Sequence, residues 1–339
     1  MMAAKLDLIA IGRSSIDLYS NELGVPFQDI KSFGAYVGGS PTNIAVGARR
    51  LGLEVALLSP LGDDKTGDFV WHFLEREGID TRFIPRKVGK RTSAAVVGMQ
   101  PPDVFSLVFY RAEAADIALN IDDVLALPMQ YARALEIGGT NLARDPSRSA
   151  TFFAAEEAKR HGLTVFFDFD FRADQWHDVR AFGVNVRTML PLVDVAIGTE
   201  EEINAAMLVN PDDMTVREQQ VSAPEIRGDI DANIQHILNI PAGPEALIVK
   251  RGARGASVYL RAGDVIDVPG FEVEVVSLLG AGDAFASGLI YGRLKGWNWH
   301  KSVRMGNACG AIVVTRQGCA NFMGYEAEVL EFIAARGGF

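Results

Sequence analysis

Gly280-Ala281-Gly282-Asp283, followed by Ala284, Phe285, Ala286, Ser287, Gly288 and Leu289, is the segment whose residue types carry the most chemistry. Small residues let a main chain approach a ligand closely, and the pattern after them is helical. Backbone N–H groups at a helix start, with the helix dipole behind them, suit phosphate oxygens. Asp283 falls in the first turn, where a carboxylate can take the proton of an attacking hydroxyl while adjacent amides hold a phosphoryl group in transfer. The same residues also fit a plain glycine turn with a helix-end carboxylate. A dinucleotide fingerprint does not fit, because Phe285 stands where GxGxxG needs its third glycine and the segment lies late in the chain. The chain has no GxxxxGK[ST] loop.

A second segment, Gly38-Gly39-Ser40-Pro41-Thr42-Asn43, leads into Ile44, Ala45, Ala48 and Leu51 at helical spacing. Ser40 reads as a cap, Pro41 as the first helical residue and Asn43 as a first-turn amide, with the glycines letting backbone come near a bound molecule. Alone, this is also the pattern of a well-capped helix. Two arginines could form a fork for a ligand carboxylate. In Phe167-Asp168-Phe169-Asp170-Phe171-Arg172 the polar residues alternate, so Asp168, Asp170 and Arg172 share one face if the strand continues. Arg111 ends a predicted strand after Phe109-Tyr110. Arginine at a strand end also fits a solvated rim.

The elements that must position these groups alternate along the chain. Leu6–Ile11, 55–59, 134–137, 164–167, 193–197 and 246–249 are short, bounded and aliphatic, as buried parallel strands are. Between them the spacing predicts helices. Asp64 can cap one whose Phe69, Val70, Phe73 and Leu74 form a face before Gly78, and residues 146–160 form another that stops at Gly162. Repeated βα units imply an α/β fold with a doubly wound, mostly parallel sheet flanked by helices over a single domain, 1–339. Residues 16–37 and 82–111 break the rhythm. They read as a small antiparallel β sheet, either a lid over a ligand or a decorated edge. The polar stretch 210–243 is assigned no chemistry.

Composition removes several classes. The chain has 339 residues, 33 Lys+Arg against 43 Asp+Glu and a net charge of −10, which argues against a nucleic-acid binder. Cys309 and Cys319 form no CxxC pair, and His72, His161, His177, His236 and His300 form no i, i+4 pair, so neither a disulfide scaffold nor a histidine metal site is expected. No run reaches the roughly 18 apolar residues of a membrane span, and the start lacks a signal-peptide core, so the expected location is the cytoplasm.

Taken together, the two glycine segments resemble the ribokinase/PfkB family of carbohydrate kinases. Ile11-Gly12, Asp17, Leu61-Gly62-Asp63-Asp64, Gly252, Gly255 and Arg316-Gln317-Gly318 also fall in family order. The resemblance implies a ribokinase-like fold and ATP with Mg2+ as cofactors. It implies Asp283 as catalytic base, with Gly280, Ala281 and Gly282 as the anion hole. Asp17, Gly38, Gly39 and Asn43 match sugar-binding positions. Thr199, Lys250, Gly252, Gly255 and Asn307 match the nucleotide side, and Glu202 takes an indirect metal role, with Glu201 as the other candidate. Ser277-Leu278-Leu279 stands where the family often has Asp-Thr-Thr, which leaves monovalent-cation activation open. Tyr110-Arg111 and Asp170-Phe171-Arg172 are similar to the branch that phosphorylates keto-deoxy sugar acids, in which two arginines face the carboxylate. Within it the chain looks most like the subgroup using a 5-dehydro-2-deoxy acid in inositol catabolism. The alternatives are a 2-dehydro-3-deoxy acid, a neutral sugar, and, from another class, a non-catalytic sugar-acid sensor. Lids in this family often pair, so a homo-oligomer through the lid is expected.

Overall fold

Aliphatic strands with a helix on either side produce a three-layer arrangement. The computed structural model describes residues 5–100, 104–216 and 224–339, so parts of the 82–111 and 210–243 stretches lie outside the described residues. The large sheet runs, from one edge, Val265–Val268, Ala256–Leu260, Ala246–Lys250, Val195–Thr199, Thr164–Asp168, Ala132–Gly138, Leu6–Ile11 and Val55–Leu58. The last six are mutually parallel, and the first two add an antiparallel edge. All six predicted strands therefore exist, each shifted by no more than two residues at either end.

Alternate residues of the central strands feed two separate cores, which explains their near-continuous hydrophobicity. Leu8, Ala10, Ala134, Phe166, Ile197 and Ile248 pack toward the helices Ser40–Arg50, Ala281–Leu294 and Trp299–Val314. Ile9, Ile11, Leu135, Phe167, Leu247 and Val249 pack toward Ser147–Arg160, Val179–Met189 and Ile230–Leu238. Glu136 lies between Ala10 and Phe166 in register, a lone carboxyl in an otherwise apolar strand face.

The Lys65–Arg76 helix starts as expected, with the Asp64 side chain accepting from the Gly67 amide at 2.7 Å. Its predicted face needs one correction. Val70 and Leu74 are buried, but Phe69 is 41% exposed, because the buried stripe is narrower than the apolar pattern.

The two stretches that break the alternation form a four-stranded sheet, ordered Phe33–Gly38, Ser15–Ser20, Ser93–Gln100, Val104–Tyr110. Its hairpins are antiparallel, and the seam between Ser15–Ser20 and Ser93–Gln100 is parallel. The seam joins two distant hairpins that enter the sheet from the same end. Tyr36 Oη donates to Gln317 Oε1 at 2.9 Å, and the Val37 amide to Asn321 Oδ1 at 2.8 Å, which tie this sheet to the segment that follows the Trp299–Val314 helix. Among the described residues no helix is long and apolar enough to cross a membrane.

Candidate active site

The predicted chemistry gathers at the carboxyl ends of the parallel strands, where open α/β sheets place ligands. Gly138, Asp168, Thr199 and Lys250 are each the last residue of their strand. Two helix starts face them.

Asp283 lies in the first turn of the Ala281–Leu294 helix, whose cap Gly280 has φ +75°. A Cβ at Gly280 would stand 2.7 Å from the Cys319 amide nitrogen, so this turn requires glycine for both reasons. The Ala281 N–H is drawn back to the Leu278 carbonyl at 3.3 Å, which leaves the amides of Gly280, Gly282 and Asp283 open. Of the three residues expected to form an anion hole, Gly280 and Gly282 keep free amides, whereas the Ala281 amide has a main-chain partner.

Ser40 Oγ donates to Asp283 Oδ1 and Asn43 Nδ2 donates to Oδ2, both at 2.7 Å. Ser40 therefore does not cap its helix, whose N-cap is Gly39 with no side-chain bond. Asn43 Oδ1 is buried and has no partner. Burial, then the Asp170 carboxylate, raises the Asp283 pKa, while Asn43, Ser40 and Arg172 oppose the rise.

The diglycine turn makes room for protein atoms. A Cβ on Gly38 would sit 1.9 Å from Asp17 Oδ2, and one on Gly39 2.2 Å from the Arg13 carbonyl oxygen. Asp17 is buried and accepts from Ser15 Oγ at 2.7 Å. Burial pushes its carboxyl up to about 6 against the pull of Arg13.

Asp168, Asp170 and Arg172 do converge, but not by continuing the strand. The strand ends at Asp168, and Asp170 turns into the left-handed region at φ +36°. The Asp170 amide donates to Asp168 Oδ1 at 3.2 Å, Thr140 Oγ1 donates to Asp170 Oδ2 at 3.1 Å, and Arg172 pairs with Asp170 Oδ1 at 3.2 Å. Arg172 is partly exposed. Arg111 is already committed, with Nε on Asp116 Oδ2 at 2.7 Å and Nη1 on the Thr140 carbonyl at 3.2 Å. The expected free fork at Arg111 is thus half used by its own ion pair.

Lys250 stands under the Gly282 turn. Its Nζ is 3.1 Å from both Asp168 oxygens, 3.7 Å from Glu202 Oε2 and 3.1 Å from where a Gly282 Cβ would be. Asp168 and then Glu202 keep the ammonium charged against burial. Thr199 and Glu202 form a reciprocal capping box, Glu202 Oε2 accepting from the Thr199 amide at 2.8 Å and Glu202 Oε1 from the Phe171 amide at 3.2 Å. Glu202 thus points inward and Glu201 is exposed. Gly252 and Gly255 flank the turn between Ala246–Lys250 and Ala256–Leu260. Asn307 gives its amide hydrogens to the carbonyls of Val268 at 3.0 Å and Pro269 at 3.1 Å.

Sequence reasoning missed two groups. Arg13 is buried within this cluster, and its only sequence signal is its place just after a strand's carboxyl end. Glu136 is buried with both carboxyl oxygens unpartnered, and its signal was a charge inside an apolar strand.

Open amides, an adjacent ammonium and a carboxylate held at the head of one helix by the head of another make an arrangement that phosphoryl transfer can use. The chain belongs to the pfkB family of carbohydrate kinases, whose model matches residues 5–324, and it is a carbohydrate kinase. It is similar to 5-dehydro-2-deoxygluconokinase from Geobacillus thermodenitrificans, 34% identical over 333 residues that span 97% of this chain and 93% of that protein. Fructokinase from Xylella fastidiosa with bound ATP aligns at a TM-score of 0.82 and 26% identity, covering 97% of this chain and 98% of that one. An E. coli protein described as a Ribokinase II, in complex with ATP and Mg2+, aligns at 0.83 and 25% identity, covering 97% and 99%.

Proposed function

We propose that this kinase transfers the γ-phosphoryl group of ATP to the terminal hydroxyl of 5-dehydro-2-deoxy-D-gluconate, giving the 6-phosphate and ADP. The observation that carries the transfer is the Asp283 carboxyl in the first helical turn, bracketed by Ser40 and Asn43 beside the open amides of Gly280 and Gly282. The likeness along 97% of the chain to a kinase named for this acid supports the choice of acceptor.

The residues present fit a nucleotide's phosphates. Open amides at a helix head and the Lys250 ammonium converge on one place, and electrostatic stabilisation there is worth most because it is preorganised. They fit Mg2+ only at second hand. Both Glu202 oxygens already accept main-chain amides, and among the described residues no group of three His, Cys, Asp or Glu could hold a metal. Mg2+ carried on the nucleotide supplies neutralisation of phosphate charge. In this reading Thr199, Gly252, Gly255 and Asn307 shape the nucleotide side, and Glu202 reaches the ion through water.

Asp283 takes the proton of the attacking hydroxyl onto its carboxylate, which Ser40 and Asn43 hold in position. Asp17 and the unpartnered Asn43 Oδ1 accept from sugar hydroxyls. Gly38 leaves room for Asp17 and Gly39 for the Arg13 carbonyl, and Asp170 fixes Arg172 toward the acid. The four-stranded sheet is the lid that excludes water from the transfer. Phe33, Val108 and Tyr110 are exposed on it, which supports self-association through this sheet. Two buried free cysteines agree with a cytoplasmic location.

The test is ADP release measured with 5-dehydro-2-deoxygluconate, 2-dehydro-3-deoxygluconate and fructose side by side. The expected kcat/KM for the first exceeds the others by about tenfold or more, the scale of discrimination by one pocket difference. A higher kcat/KM for fructose rejects the acid reading, and binding without turnover of any of them rejects the enzyme.

A further inference from the structure

We infer that Arg13 is the residue that binds the carboxylate of the acid substrate, with Arg111 and Arg172 in supporting places. The inference rests on the sugar-acid reading above and adds to it the fork that sets specificity.

Arg13 is 6% exposed, and its backbone is fixed by the same turn that orders the site. Thr42 Oγ1 donates to the Arg13 carbonyl at 3.1 Å, and Gly39 leaves space for that oxygen. Its guanidinium lies over the Phe109 ring, 4.8 Å from the centroid, a cation–π contact. Comparably buried cations each have a carboxylate in contact. Arg111 has Asp116 at 2.7 Å, Arg50 has Glu77 at 2.8 Å and Lys250 has Asp168 at 3.1 Å. Arg13 has none within ion-pair distance among the described residues. Its hydrogen bond is a long one, from Nη1 to Ser15 Oγ at 3.4 Å.

A buried guanidinium with most of its five donors open requires an anion, and its planar fork matches a carboxylate bidentately. Its surroundings add to the requirement. Burial and then the nearby Arg111 both disfavour its charge, with Asp17, Asp170 and Asp116 opposing from beyond contact. Of the two buried guanidinium groups, Arg111 has a carboxylate in contact and Arg13 has none, so a substrate carboxylate would be the contacting anion of Arg13.

Position agrees with chemistry. Arg13 donates to Ser15 Oγ, and Ser15 donates to Asp17 Oδ1 at 2.7 Å, so the carboxylate fork and the hydroxyl acceptor are linked through one side chain. Asp17 in turn feels the Asp283 charge. An extended sugar acid thus lies with its carboxylate at Arg13, its middle hydroxyls at Asp17 and its terminal hydroxyl at Asp283.

The experiment measures KM and kcat of Arg13→Ala and Arg13→Lys with 5-dehydro-2-deoxygluconate and with fructose, at saturating ATP. For Arg13→Ala the expected KM for the acid rises by about 30-fold or more, the scale for truncating one partner of a buried charge pair. kcat changes far less, and the preference for the acid over fructose collapses. Lysine keeps the charge without the fork, so it restores only part of the affinity. If wild type uses the acid and Arg13→Ala keeps its KM within about threefold, the Arg13 assignment is overturned while the function stands. If wild type does not use the acid, the functional reading itself has failed. Should Arg13→Ala not fold, Arg13→Lys decides: an unchanged KM with the acid overturns the assignment, and a raised one with kcat retained supports it.

Discussion

Asn43 Nδ2 donates to Asp283 Oδ2 at 2.7 Å, joining residues that stand 240 positions apart in the chain. With Ser40 on the other oxygen, both carboxyl oxygens are engaged by the head of one helix while the group sits in the head of another. Such bonds favour the ionised form and oppose the burial that raises the Asp283 pKa.

Asp283→Asn is expected to lower kcat by roughly 10² to 10⁴, the usual range for a general base, while the KM for ATP stays near that of the parent. Single-turnover and steady-state kinetics with the sugar acid check this. Near-parent turnover removes Asp283 from the proton transfer.

Asn43→Ala removes a bond that stabilises the ionised carboxylate, so the Asp283 pKa moves further up. Activity that needs an ionised base rises with pH, and the acid limb of the kcat profile is therefore expected at higher pH in the variant. Asp17 adds its own limb to sugar binding, because burial pushes its carboxyl up to about 6 and the ionised form is the stronger acceptor of hydroxyl hydrogens. KM for the sugar should fall as pH rises through that value. A kcat profile that does not move in Asn43→Ala contradicts the arrangement.

Gly38→Ala places a methyl group 1.9 Å from the present position of Asp17 Oδ2, so the carboxylate must leave its place. Sugar KM is expected to rise about tenfold or more, as a lost charged hydrogen bond implies, with ATP binding little altered. Equal losses on both substrates point to general unfolding instead, which a melting curve reports.

Much of this was legible in the amino-acid order, and the exceptions share a cause. The strand cores 6–11, 164–167 and 246–249 stand out because burial on both faces leaves uninterrupted aliphatic runs, and Asp64 stands out because capping is local. The family order of the glycine segments carried Asp283, Asn43 and Asp17 with it. Ser40 misled because its partner comes from a remote helix, and a serine before a helical run otherwise looks like a cap. Asp170 reached its neighbours through a left-handed turn that no alternation reveals. Arg13 and Arg111 look alike in sequence, as arginines at strand ends, and only folding shows that Asp116 meets one of them and leaves the other open.

Glu136 offers a test of stability rather than rate. It is 1% exposed, both oxygens lack partners, and burial, then Asp168, Asp283 and Asp170, raise its pKa well above 4.5. The folded chain therefore keeps a proton that the unfolded chain releases, and stability falls as pH rises above that ordinary value toward the folded one. Glu136→Gln cannot ionise, so thermal melts between pH 5 and 8 should show the variant gaining on the parent as pH increases. A constant difference across that range would mean that Glu136 is ionised in the fold.

The strand Phe33–Gly38 passes through Gly39 straight into the helix that carries Ser40 and Asn43. The proposed lid and the two donors that hold Asp283 are thus consecutive stretches of one polypeptide, with a single residue as joint. On the proposed function, a tilt of this hairpin would be felt at once by Ser40 and Asn43, so covering the acceptor and aiming Asp283 would be one movement.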